Sequence, residues 1–279
     1  MVAVGRARRV KVLAHVVPVL VSLMLLLVFG AVLPGLPGLL LALGLAFTVP
    51  FALTRTGERA TVRVFLRARA PTLVDRVALT PVAQVLHEHG VRTDRLTLLV
   101  TAGPEVDAYG VGRHTVLVTT ALVDALGSRR VSAAQGAAVI AHELGVLNGG
   151  LARADAVLVV VLTPWRVWLR FVGVIVGVFA GITGVRCHYR GLIWLMAGVC
   201  LWLAYDEHQP AYLGSVTILA LVLLQPVWEQ RWRRARHQIG DTYLQQVGLG
   251  QPLATFLRAG SHQDEVRERA LRLSMKVPG

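Results

Sequence analysis

His142 and Glu143, in the run Ala141-His142-Glu143-Leu144-Gly145-Val146, are the side chains with the most chemistry to offer. In an H-E-x-x-H helix two histidines stand one turn apart, share a face and hold one Zn²⁺. The glutamate between them polarises the metal-bound water. Here the place of the second histidine is taken by Val146, which has no lone pair. One ligand is gone and the general base remains. A His-Glu pair on a helix is also an ordinary salt-bridged feature, so its surroundings decide its reading.

The elements that must position the pair are legible around it. Ser132 can cap a helix that runs through the apolar residues 133–140 into His142. Residues 61–90 read as helical, with Leu73, Val74, Val77, Val82, Val85 and Leu86 at mixed three-to-four spacing around Pro71 and Pro81. Residues 96–101 are a short β-rich run, 103–112 a loop, and 115–120 (TVLVTT) a second strand. Residues 121–126 form a helical turn, broken at Gly127-Ser128.

At 54% hydrophobic and 16% charged over 279 residues, the chain is too apolar for an ordinary soluble domain. Residues 12–32 are apolar apart from His15 and Pro18, enough for the roughly 20 residues that cross a bilayer core. A Pro-Gly turn at 34–38 and a second apolar run at 39–53 make this a hairpin of two spans. A cleaved signal peptide is the competing reading. The length of the run, the lack of a small-residue cleavage site before Pro34 and the immediate second span count against it. Arg6, Arg8, Arg9 and Lys11 precede the first span, and Arg55, Arg59, Arg63, Arg67 and Arg69 follow the second, which places both flanks in the cytoplasm.

Three further apolar runs follow Gly149-Gly150. Residues 156–182 are interrupted by Pro164, Arg166 and Arg170 and read as a bent membrane-associated helix. Residues 192–204 and 212–228 form a second hairpin, with residues 205–210 outside and Arg231, Arg233, Arg234 and Arg236 inside. The tail from 231 to 279 is helical and soluble. Most of the formal charge of +13 therefore sits beside spans, where it sets topology and meets anionic lipid. No basic run is interleaved with aromatics, which argues against nucleic acid. Cys187 and Cys200 show no metal or disulfide spacing and read as small buried hydrophobes. His15, His87 and His89 read as surface or interfacial, and Trp194 and Trp202 as span packing or interface anchors.

The order of segments resembles the HtpX and CAAX-prenyl-protease type of membrane gluzincin. The residues that carry the likeness are the loop Asp107-Ala108-Tyr109-Gly110-Val111-Gly112-Arg113, the strand Thr115-Val116-Leu117-Val118-Thr119-Thr120 and the helix Val139-Ile140-Ala141-His142-Glu143-Leu144-Gly145. After a membrane hairpin, His237-Gln238-Ile239-Gly240-Asp241 falls where that family has its third-ligand helix. Tyr243, Gly248, Ser261-His262 and Arg267-Glu268-Arg269 echo later elements. The resemblance covers essentially the whole chain. It implies Glu143 as general base and His142 and His237 as metal positions, with Val146 replacing one ligand, His237 the family's glutamate and Asp107 its asparagine. A third zinc donor could come from His114, which reads otherwise as a loop or strand-end histidine, or from Asp241, whose inherited role is to support the ligand set.

The expected fold is α+β: a multi-span α-helical membrane protein with a gluzincin-like cytoplasmic peptidase unit. Residues 1–56 would be an N-terminal transmembrane hairpin, and 57–150 the first part of the unit with the His-Glu helix. Residues 151–229 would hold the membrane-associated helix and second hairpin, and 230–279 a cytoplasmic helical tail completing the site. N- and C-termini would both be cytoplasmic. The expected function is that of a pseudopeptidase, or of a peptidase with altered metal ligation, with zinc as the implied cofactor, weakly held or absent. The alternative is an active zinc endopeptidase that cleaves membrane-associated proteins at the cytoplasmic face, with an extended substrate paired along the sheet edge at 111–118. Membrane lipid and a peptide or membrane-protein segment are the expected partners.

Overall fold

The computed structural model describes residues 2–32, 35, 44, 47–94, 96–183, 198–199, 202, 211–260 and 264–274. The expectations at 36–43, 192–197 and 205–210, and those for Cys187, Cys200, Trp194, Ser261 and His262, lie outside them. The chain is a helix-rich α+β protein. Its elements are α1 (Val2–Val32), α2 (Arg55–Phe65), α3 (Leu73–Glu88), β1 (Thr97–Thr101), β2 (Ala108–Val111), β3 (Thr115–Thr119), α4 (Thr120–Gly127), α5 (Ala133–Asn148), α6 (Asp155–Val161), α7 (Thr163–Thr183), α8 (Ala211–Gln246), α9 (Gly250–Gly260) and α10 (Asp264–Ser274). They fall into two compact units. One comprises residues 1–4, 45–160 and 234–279, the other 5–44 and 161–233.

The first unit is built on a three-stranded sheet in the order β1-β3-β2, with β1 parallel and β2 antiparallel to β3. Alternation along the strands splits the core in two, as the period of two requires. Val100, Val116 and Val118 join the cluster of α3, α4 and α5, while Leu99 and Leu117 pack on Val62 of α2 and on Ala156. Two sequence expectations are corrected here. Residues 103–112 are not all loop, because 108–111 form β2. Nor do residues 115–118 offer a free edge, since β3 is paired on both sides.

The helical reading of residues 61–90 is also corrected: α2 ends at Phe65 and α3 begins at Leu73. Pro71 disfavours helical backbone at the residue before it. Arg67 turns the linker with φ 49°, and Arg69 bridges to Val100. Thr72 then opens α3 with a reciprocal capping box to Asp75.

The turn between β2 and β3 is held by Glu58 of α2, a buried carboxylate that the sequence reading passed over. It accepts the amides of Arg113 (2.8 Å) and His114 (3.3 Å) and the hydroxyl of Thr115 (2.6 Å). Gly112 in this turn has φ +71°, and a Cβ there would run into Glu58. Ser132 caps α5 through a capping box with Gln135, as its position predicts.

In the second unit, α1 includes the segment Val4–Leu27, long and apolar enough to cross a membrane at a mean hydropathy of 2.3. Among the described residues it is the one helix that meets this measure, which an N-terminal signal sequence also meets. The Trp165 amide donates to the buried Ser22 hydroxyl at 3.3 Å, and the Lys11 ammonium lies 5.5 Å from the centre of the Trp232 ring. The apolar run at 156–182 breaks at Leu162 into α6 and α7, immediately before Pro164.

Candidate functional site

α5 is buried on every side from Gly136 to Leu147. Its alanines and glycines make that possible, because neighbours approach to its backbone. A Cβ on Gly136 would meet Leu126, one on Gly110 of β2 would meet Leu147, and one on Gly145 would meet Tyr243 of α8. Into this helix the sequence sets His142 and Glu143, each 6% exposed. A buried carboxylate demands charge or donors around it.

Glu143 has both. Its Oε2 accepts the Gly110 amide at 2.9 Å and the guanidinium of Arg236 at 2.5 Å. Its Oε1 lies 3.0 Å from His142 Nδ1, which must supply the proton because a carboxylate only accepts. Burial by itself pushes the Glu143 carboxyl up. The His142 hydrogen bond, the Arg236 charge and the Gly110 amide outweigh it and hold the group down to about 2. Arg236 is half-buried, which by itself lowers its pKa, yet the pKa is raised, because the charges of Glu143, Asp155 and Asp107 and the hydrogen bond to Glu143 outweigh that.

On the other side of the ring, His142 Nε2 is buried with no hydrogen-bond partner, 3.4 Å from Asp241 Oδ1. Asp241 is gripped by Arg269 of α10, whose Nε and Nη2 donate at 2.9 and 2.6 Å. The side chains thus run in a line: Arg236, Glu143, His142, Asp241, Arg269. Gly240 of α8 closes over the line, since a Cβ there would overlap the His142 ring.

The expected metal positions do come together. The rings of His142 and His237 stand 5.7 Å apart between centroids, tilted by 41°. His237 is exposed, yet partial desolvation and the nearby charges of Arg269 and His142 lower its pKa to about 4. Solvent screening on the exposed side reduces that effect. Val146 follows His142 by one turn and is 1% exposed, an apolar wall where a ligand was expected. His114 stands in the β2–β3 turn with its amide on Glu58. Asp107, before β2, has its pKa raised by burial and by the nearby charge of Glu143, and its Oδ1 accepts the Ala108 amide at 2.8 Å. The neighbouring Tyr109 phenol is pushed up to about 12 by burial and by Asp107.

Against known protein families, curated proteins and solved structures, the chain matches none. Its chemistry is therefore read from these residues. Among the described residues no three His, Cys, Asp or Glu side chains are grouped to hold one metal ion. The donors present do not fit a three-ligand zinc centre. Val146 contributes nothing, Asp241 is committed to Arg269, and Arg236 brings a full positive charge to the carboxylate that would serve the metal-bound water.

Of the residues in this line, the sequence reading singled out His142, Glu143 and Asp241, with His237 beside them, and treated Arg236 as a topology signal and Arg269 as a distant echo. A signal for Arg236 did exist. A carboxylate on a helix apolar on all sides needs a cation, and with a metal ligand missing that cation has to be a side chain.

Proposed function

We propose that this chain is a non-hydrolytic, membrane-anchored relative of the gluzincin-type membrane peptidases, in which an arginine–glutamate pair occupies the place of a catalytic metal centre. The observation that carries the reading is the 2.5 Å contact between Arg236 and Glu143. A general base works best with a pKa near the operating pH, and Glu143 is held to about 2. The substrate side is engaged as well. β2 is one edge of the sheet, and its outward amides at Ala108 and Gly110 already donate to Asp107 and Glu143. An added peptide strand would have to displace those carboxylates.

In this reading the hairpin of residues 1–56, and the membrane-associated helix and second hairpin within residues 151–229, hold the chain in the cell membrane, with both termini in the cytoplasm. Support comes from the apolar side chains that α1 and α7 leave exposed, among them Leu20, Leu23, Met24, Leu27, Trp168 and Phe171, and from the arginines that flank the runs. The first unit then serves as a scaffold or docking module for a membrane-protein segment. One atom favours the second reading, an active zinc endopeptidase of altered ligation: the unpartnered Nε2 of His142. It is a single donor facing a carboxylate that Arg269 already holds.

Hydrolysis decides between them. Purified protein with added zinc is incubated with unfolded casein and with quenched fluorescent peptides. The proposal expects turnover indistinguishable from that of Glu143→Gln. Zinc-dependent cleavage that disappears in Glu143→Gln would establish the peptidase instead.

A further inference from the structure

We infer that the first turn of α3, with the linker before it, docks onto an anionic phospholipid surface; this rests on the membrane reading above. α3 buries Asp75, Leu79, Val82 and Leu86, spaced to face the core. That arrangement turns Leu73, Val74 and Val77 outward, at 78%, 77% and 67% exposure, which is extreme for three apolar side chains within five residues. The preceding helix ends in the same manner, with Val64 at 71% and Phe65 at 40%.

Charge identifies the occupant. Between residues 63 and 77 the chain carries four arginines, Arg63, Arg67, Arg69 and Arg76, all exposed. The single acid in that stretch, Asp75, is consumed by its ion pair with Arg69 and by the cap of Thr72. The segment therefore presents apolar side chains ringed by guanidinium groups, three of which, on Arg63, Arg67 and Arg76, meet no acid within the segment. Such a surface suits the boundary between anionic headgroups and acyl chains, where apolar groups enter and arginines stay with phosphate. A protein partner would more often answer with a hydrogen-bonding rim, and the capping box already closes the Thr72 and Asp75 amides at the start of α3. The segment also follows closely on the apolar run at 39–53, so a nearby bilayer is at high effective concentration and weak insertion suffices.

The test uses the full chain with Cys187 and Cys200 replaced by serine and one new cysteine carrying a polarity-sensitive fluorophore. Val74→Cys reports the first turn of α3, Glu88→Cys its other end, and Leu20→Cys the α1 span. Each is reconstituted into phosphatidylcholine vesicles with or without about 30% phosphatidylglycerol, in which some acyl chains are brominated as quenchers. The expected result is blue-shifted emission and at least about twofold stronger quenching at position 74 than at 88, diminished without phosphatidylglycerol or by Arg67→Gln with Arg76→Gln. Equal quenching at 74 and 88, with strong quenching at 20, would overturn the inference and leave the membrane reading intact. No quenching at 20 would overturn both. Self-quenching at 74 that follows the fraction of labelled chains, with no lipid quenching, would overturn it in favour of a second copy of this chain.

Discussion

At 2.5 Å from Glu143 Oε2, Arg236 neutralises a buried carboxylate and also occupies the oxygen that a general base would need. Removing one partner of such a pair leaves the other charge stranded, so Arg236→Ala should destabilise the protein by about 3 kcal/mol, read from denaturant or thermal unfolding of the purified chain. The pH dependence follows from the same contact. The Glu143 carboxyl is depressed from its ordinary 4.5 to about 2, so its stabilisation is complete above pH 4.5 and is lost as pH falls toward 2. In Arg236→Ala the folded-state pKa of Glu143 should rise back toward or past 4.5, so the loss on acidification should shrink. His237 works in the same direction, since a histidine lowered to about 4 penalises folding as pH drops below 6.5, less so for its exposed side. That His142 and His237 share one site was legible from the ordered segments at 141–146 and 237–241. The role of Arg236 was not, because one arginine among several at a predicted membrane boundary looks like a topology signal.

The hairpin of β2 and β3 depends on an element distant in sequence. Glu58 of α2 reaches into the turn and accepts two amides and a hydroxyl, and Gly112 leaves room for it. Glu58→Ala should strand these donors and cost on the order of 3 kcal/mol, measured as a drop in unfolding midpoint, while Glu58→Gln should recover part of it. Sequence pattern recovered β3 readily, since Thr-Val-Leu-Val-Thr is rich in β-branched residues. It missed β2, because Ala-Tyr-Gly-Val has a glycine and a single β-branched residue; what makes it a strand is pairing to β3 and cover from α5. It also ran α2 into α3, although Pro71 carried the break. α5 was the easiest helix to place, since Ser132 and Gln135 mark its start and the apolar run its length.

At the scale of the whole molecule, one unit gathers three stretches of the chain around the His-Glu centre, and the other gathers the apolar α1, α7 and the first part of α8. The boundaries expected from composition fall at 56/57, 150/151 and 229/230, whereas the compact units divide at 4/5, 44/45, 160/161 and 233/234. The positive-inside pattern gives a topology that can be checked: reporters fused after Gly35 and after Glu207 should both signal the exterior, and a cytoplasmic signal at either would refute the two-hairpin arrangement. The central claim, that an internal ion pair holds the place of a metal, is tested most directly by metal analysis of the chain purified in detergent without chelator and dialysed against metal-free buffer. The account predicts zinc far below one ion per chain. One tightly held zinc per chain, retained through dialysis and lost in His142→Ala, would contradict it.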